Sequence, residues 1–230
     1  MKKVLSFLLG FLLAVSGATA TLAALLNGGG TSAPLMLSLM RHDAPSSATG
    51  LSDEHYPAVT EMIAAYLAGT TADFQYILVD DEGDETPCFN EREQQHMADC
   101  RALFVLCREV LLAAATALSA AALGLCALRR PHQAAAGFLA GGGLLLAAAA
   151  ALFLWAAVDF DGLFVLFHRL SFANDLWLLN PATDLLIRLM PTAFFVHYVA
   201  LLGITWLAGL LLAEVLAALL LRRMSKQRAR

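Results

Sequence analysis

The chain is expected to fold as an all-α membrane protein. It should have four transmembrane helices, a small extracytoplasmic α-rich domain and an interfacial connector before the last helix. Three observations predict this. Of the 230 residues, 59% are apolar, against roughly 45–50% in soluble domains, and the mean hydropathy is +0.67. Four apolar segments, residues 1–26, 102–128, 134–158 and 192–221, each reach the roughly 20 residues that cross about 30 Å of hydrocarbon. Finally, nine of the fifteen basic residues cluster in three places: Lys2 and Lys3, Arg129 and Arg130, and Arg222, Arg223, Lys226, Arg228 and Arg230. Positive charge stays on the cytoplasmic side. The N-terminus, the turn at 129–133 and the tail at 222–230 are therefore expected inside, with residues 27–101 and 159–191 outside.

The first segment has two readings. Lys2, Lys3, the apolar run and Ala18-Thr19-Ala20 resemble a cleavable secretory signal. The run nevertheless continues through Leu22, Leu25 and Leu26, past the roughly 7–15 residues of a signal's apolar region, which favours an uncleaved first helix. The extracytoplasmic domain, 27–101, carries thirteen acidic residues against Arg41, Arg92 and Arg101, a balance of −10. That charge argues against a nucleic-acid partner.

Within this domain, Gly28-Gly29-Gly30 reads as a flexible exit from the membrane. Residues 27–50 read as a loop with a short extended piece at 35–40. Residues 53–68 read as a helix, with Ser52 as cap, Asp53 and Glu54 in the first turn, and Val59, Ile63, Tyr66 and Leu67 on one stripe. A turn at 69–73 precedes an extended segment at 74–79. The acidic turn at 80–85 lacks the spacing of a calcium loop. From the natural N-cap Asn90, a helix should run into the second span.

Gly141-Gly142-Gly143 sits in an Ala-Gly-Leu helix without the flanks of a phosphate loop, and reads as a place where a neighbouring helix approaches closely. Cys107 and Cys126 lie inside the second span as small apolar groups. Cys88 and Cys100 are external, and their spacing leaves open whether they pair. No metal-spaced set is present, and neither a metal nor a cofactor is expected.

The connector 159–191 is unlike a spacer. It mixes Phe164, Phe167, Phe172, Trp177 and Phe195 at its edge with His168, Asn174, Asp175, Asn180, Asp184, Arg169 and Arg188. Apolar side chains prefer lipid and the polar ones prefer water, so the segment is expected in the interface, with Trp177 at headgroup level. Asn180 should cap a short helix beginning at Pro181 and ending at Pro191. On the second helix, His96 and Asp99 are i, i+3 neighbours about a turn above the membrane entry. Arg108 enters the span as a candidate anion or carbonyl contact, with snorkelling to the headgroups as the alternative. His42, His55, His132 and His197 read as ordinary hydrogen-bonded residues. His96 and His168 share one depth, and each is flanked by a carboxylate, Asp99 and Asp175. Two histidines with no nucleophile set point to proton transfer. Asp175 is the expected partner that fixes the His168 tautomer.

The motif Phe167-His168 … Phe172-Ala-Asn174-Asp175-Leu-Trp177 … Asn180-Pro181-x-Thr183-Asp184-x-Leu-Ile-Arg188-x-x-Pro191-x-x-Phe194-Phe195 resembles the bacterial lipoprotein intramolecular transacylases (Lit). Glu93-x-x-His96-Met-x-Asp99 and Tyr66-Leu67 are similar to further motifs of that family, and the four-span layout fits it. Met190 stands where the family's pattern suggests an aromatic residue.

The resemblance implies an enzyme of the cell membrane that acts on diacylglyceryl-modified lipoproteins among membrane lipids. It would move the sn-2 acyl chain to the lipoprotein's own N-terminal Cys α-amino group and leave a lyso-form product. It also implies that His96 and His168 are catalytic, with base and acid roles unassigned; Asp99, Arg108, Asn174, Asp175, Trp177, Asp184 and Arg188 are the candidates for supporting the site or binding the substrate. Two other classes compete. One is a non-enzymatic membrane protein whose outer domain binds a partner. The other is a b-type haem protein, which would need both histidines facing the bundle interior at similar depth.

Overall fold

The computed structural model describes residues 1–79 and 81–228; Asp80 of the acidic turn and Arg230 of the basic tail lie outside them. The chain order is α1 (Lys2–Gly30), α2 (Ala33–Asp43), α3 (Ser46–Thr49), α4 (Tyr56–Ala68), β1 (Ile77–Val79), β2 (Glu85–Pro87), α5 (Glu91–Leu128), α6 (Pro131–Val158), α7 (Phe160–Ser171), α8 (Leu185–Leu189) and α9 (Thr192–Arg228). Four of these, α1, α5, α6 and α9, are long and apolar enough to cross a membrane, as the four apolar runs require. The chain divides into two compact units.

One unit comprises Met1–Leu25, Arg108–Val158 and the chain from Leu202 onward. Lipid is as apolar as leucine, so spans associate by close approach at small residues rather than by hiding apolar area. A Cβ on Gly137 would fall 1.9 Å from the Phe7 carbonyl oxygen, one on Gly10 2.1 Å from that of Ala134, and one on Gly141 2.9 Å from that of Phe11. Here α1 and α6 touch backbone to backbone. On α9, the Trp206 indole N–H donates to the Ala18 carbonyl at 2.8 Å, with Leu210 packed beside them. Leu112 and Leu123 remain exposed, as a lipid-facing surface would leave them.

The other unit comprises Leu26–Cys107 and Asp159–Leu201. Its core holds Met40, Tyr56, Val59, Ile63, Phe89 and Leu189, all nearly fully buried, with Phe74 between Tyr66 and Phe89. Several local expectations are corrected here. Residues 35–40 are helical, not extended. Ser32 caps α2 by accepting from the Leu35 N–H at 3.4 Å, and Met36 and Met40 line its buried face. Four-residue spacing of two methionines is a weak signal beside the Gly, Ser and Pro around it. The glycines at 28–30 continue α1 rather than loosening it. A Cβ on Gly30 would lie 2.2 Å from the Phe104 ring, so glycine there makes room for an aromatic.

Helix α4 starts at Tyr56, because Ser52 spends its hydroxyl on Glu54 Oε1 (3.1 Å) instead of capping. Only Ile77–Val79 of the expected extended segment is a strand. It pairs antiparallel with Glu85–Pro87 in the register Val79↔Glu85. The helix expected from Pro181 is shorter. Asn180 Oδ1 accepts from the Ala182 N–H in a local turn, and α8 begins only after Asp184.

Candidate active site

The site is built on the start of α5. Asn90 and Glu93 form a reciprocal cap. The Glu93 N–H donates to Asn90 Oδ1 at 3.1 Å, and the Asn90 N–H donates to Glu93 Oε2 at 2.8 Å. Glu93 Oε1 then accepts from the Leu186 N–H of α8 at 2.6 Å. Asp184 completes the tie, accepting from the Asn90 side-chain amide (2.8 Å), the Asn180 N–H (2.7 Å) and the Thr183 hydroxyl (2.8 Å). Glu93 is 0% exposed. Burial pushes its carboxyl up, and the Leu186 and Asn90 N–H groups pull it back. Burial would also raise Asp184, but its hydrogen bonds hold it below the ordinary carboxylate value. The connector is thus pinned to α5 by two carboxylates.

One turn on, still ahead of the apolar stretch that begins at Ala102, His96 faces inward and is 7% exposed. Asp159 starts α7 by accepting from the Gly162 N–H at 2.9 Å, and the helix delivers His168, also 7% exposed. The two imidazoles lie 6.2 Å apart between centroids, inclined by 31°. The rings of Phe164 (4.2 Å), Trp177 (5.0 Å), Phe167 (5.3 Å) and Phe172 (5.6 Å) surround His168.

His168 Nδ1 lies 2.7 Å from the Phe164 carbonyl oxygen. A carbonyl only accepts, so Nδ1 carries the proton and Nε2 of the neutral ring keeps its lone pair. His96 is the complement. Its Nε2 lies 3.6 Å from Cys100 Sγ, and its Nδ1 is buried with no protein hydrogen-bond partner among the described residues. Burial, then the nearby His168, push His96 down to about 4, against the pull of Asp99. Burial also lowers His168, opposed by the Phe164 carbonyl. Both rings are therefore neutral at pH 7.

The supporting residues are placed differently from expectation. Asp99 accepts from the Asn174 amide at 2.8 Å, not from His96. Asn174 in turn accepts from the Leu176 N–H, so this pair fastens the connector. Asp175 does not orient His168, whose Nδ1 is taken by its own helix. Asp175 instead offers its backbone carbonyl to the Arg92 guanidinium, and its side chain is exposed. Trp177 lies against His168 with its ring tilted by 34°, and Asp184 belongs to the Glu93 network. Arg188 is half-buried, its Nε without a partner among the described residues. Arg108 falls in the other unit and is not among the residues gathered here. Neither Cys100 beside His96 nor the Phe164 carbonyl beside His168 is expected from the motifs, although i, i+4 spacing links each to its histidine. Glu93 enters the sequence reading only as the first residue of the Glu93-x-x-His96-Met-x-Asp99 motif, which does not reveal its tie to Leu186.

Because only the backbone of Asp175 is engaged, Asp175→Asn should leave the initial rate within about twofold and the pH–rate profile unmoved. A rate loss of tenfold or more, or a shifted profile, would restore the carboxylate to the proton relay.

A family model for the lipoprotein intramolecular transacylase Lit matches residues 11–195, a range that contains all of these side chains. Among solved structures, the chain is similar to the membrane-integral lipoprotein intramolecular transacylase Lit from Bacillus cereus. The identity is 19%, the match covers 100% of this chain and 98% of that one, and the TM-score is 0.73. Two structures of that protein carrying a substitution of one histidine match with TM-scores of 0.68 at 19% identity, covering 94% and 96% of their chains. No curated protein sequence matches the chain significantly.

Proposed function

Since the chain belongs to the lipoprotein intramolecular transacylase family Lit, we propose that it moves the sn-2 acyl chain of a diacylglyceryl-Cys lipoprotein onto that lipoprotein's own Cys α-amino group. The observation carrying this reading is the complementary pair of buried imidazoles: one with Nε2 free to take a proton, the other with Nδ1 free to give a hydrogen bond.

The substrate amine has an ordinary pKa of about 7.7–8.0 and cannot attack while protonated. His168 Nε2 takes the amine's proton as nitrogen adds to the ester carbonyl carbon. The carbonyl oxygen becomes an oxyanion, and His96 Nδ1–H donates to it while Cys100 S–H occupies Nε2. The intermediate collapses, the C–O bond to glycerol breaks, and the imidazolium of His168 returns its proton to the leaving oxygen. An amide replaces an ester with no net proton and no enzyme-bound acyl group. The aromatic rings around His168 stabilise its transient positive charge. Amine and ester sit on one molecule, so holding them together contributes up to several kcal/mol.

A two-chain lipoprotein presents its reacting groups at the membrane surface. The same reading therefore puts both termini in the cytoplasm, with the 27–101 domain and the 159–191 connector on the outer face. Reporter fusions at Gly29 and Arg228 should report opposite sides; an external signal at Arg228 would overturn this orientation.

The activity itself is tested in a host lacking lipoprotein N-acylation. Diacylglyceryl and lyso forms are isomers of equal mass, so the readout must locate the chain. The reporter's N-terminal peptide is treated with mild alkali, which cleaves esters and spares amides, and is then read by mass spectrometry. Expression should leave one acyl chain on the peptide. Release of every chain by alkali would sink the reading.

A further inference from the structure

Away from the two catalytic imidazoles, the C-terminal end of α2 meets the second turn of α9 at His42, Asp43 and His197. His42 Nδ1 lies 2.8 Å from Asp43 Oδ1. His197 Nδ1 lies 2.9 Å from the same oxygen and 3.0 Å from Oδ2. The two rings meet edge to face, 5.1 Å apart at 84°. One donor atom from each residue falls within 4.8 Å of the other two. We infer that these three side chains form a binding site for a divalent transition metal of the zinc class, joining α2 to α9.

The geometry suits such an ion. Zinc binds imidazole nitrogen at about 2.0–2.1 Å and carboxylate oxygen at about 2.0–2.2 Å with tetrahedral angles, so neighbouring ligand atoms sit about 3.3–3.4 Å apart. The Asp43–imidazole distances of 2.8, 2.9 and 3.0 Å lie a few tenths of an ångström inside that, so the side chains need only a small outward shift to admit the ion. Two imidazoles and one carboxylate suit zinc, copper or nickel, whereas magnesium and calcium need sets rich in oxygen. The carboxylate is firmly placed, its side chain only 4% exposed, while the His42 and His197 side chains are 71% and 49% exposed. The metal therefore has a fixed anionic anchor and an open route of entry. The negative end of the α2 dipole further favours a cation there. Three protein ligands leave at least one position for water or an exchangeable group. The bound ion would link residues 154 positions apart in the chain within one compact unit.

The test uses the full chain in detergent micelles, purified through a tag without histidine and stripped with EDTA. Zinc is titrated against a chromogenic chelator, and thermal unfolding is followed with and without zinc. One zinc per chain should bind, and it should raise the unfolding midpoint. His42→Ala, Asp43→Asn and His197→Ala should each weaken zinc binding at least tenfold and remove the thermal shift. His132→Ala should retain both, and millimolar magnesium or calcium should not displace zinc. If Asp43→Asn unfolds the protein, the well-exposed His42 still decides the question. Equal zinc binding by the wild type and the His42→Ala/His197→Ala double variant would overturn the site and leave only a hydrogen-bonded His–Asp–His triad. So would the absence of zinc binding.

Discussion

His168→Ala is expected to abolish N-acylation, lowering the initial rate by about 10²–10⁴, the usual contribution of a positioned general base. At 1.36 kcal/mol per factor of ten, that range corresponds to about 2.7–5.4 kcal/mol of barrier. His96→Ala removes the proposed oxyanion donor and should lose about 10²–10³. The two variants should lower the unfolding midpoint only through the space that the missing ring leaves, because neither imidazole hydrogen-bonds to another element. His96 Nδ1 has no protein partner to lose, and the partner of His168 is a carbonyl of its own helix. A variant that keeps more than about a tenth of the wild-type rate has lost less than one tenfold step, and that residue would then be excluded from its role.

The same pair sets the pH behaviour. Both folded values lie below the ordinary 6.5, His96 at about 4, with burial as the leading cause. Below pH 6.5 the unfolded chain therefore binds more protons than the folded one. The histidine contribution to stability is complete above pH 6.5 and declines as pH falls toward 4. Burial lowers His168 as well, so the acid limb of the rate profile should fall below pH 6.5 rather than at it. An inflection at pH 6.5 would mean that the imidazoles titrate as solvated groups.

The sequence made the pair of histidines legible, because the spans fix a shared depth and the motifs around them are specific. The partners of each ring were not legible. Asp99, at i+3 from His96, was the obvious candidate, yet the connector brings Asn174 to that carboxylate and His96 is left to Cys100, at i+4. Asp175 lies seven positions past His168, beyond the end of α7, where the chain has turned outward. The Phe164 carbonyl is held by the helix itself, and its second lone pair is free for the imidazole. Side-chain chemistry can be read from a motif, but which donor reaches which acceptor depends on where the chain turns. The joining of His42 and Asp43 to His197 is legible only in the folded chain, since no local spacing relates them. Helix α2 was missed for a related reason: its stability comes from packing Met36 and Met40 under α4, while its own composition reads as loop.

Glu93→Ala should be the most damaging single change to stability. The carboxylate is fully buried and accepts from two backbone N–H groups, that of Asn90 and that of Leu186, 93 residues further along the chain than Glu93. Truncation strands both donors in a site water cannot easily enter, at about 1–3 kcal/mol each. It also leaves the Asn90–Asp184 and Asn174–Asp99 hydrogen bonds to tie α5 to the connector. A loss of about 2–6 kcal/mol is expected. At roughly 3–5 °C per kcal/mol for a unit of this size, the midpoint should fall by about 6 °C or more.

Glu93→Gln should fall between, because its carbonyl oxygen can accept from one N–H while its NH₂ group confronts the other. Activity should drop with stability in both variants and recover in part on cooling, since the imidazoles remain and only their spacing has been loosened. That coupling separates Glu93 from His168, whose loss no temperature should repair. An unchanged midpoint for Glu93→Ala would show that the Leu186 and Asn90 amides find water, and that the apolar contacts of Leu185, Leu186 and Leu189 alone hold α8 in place.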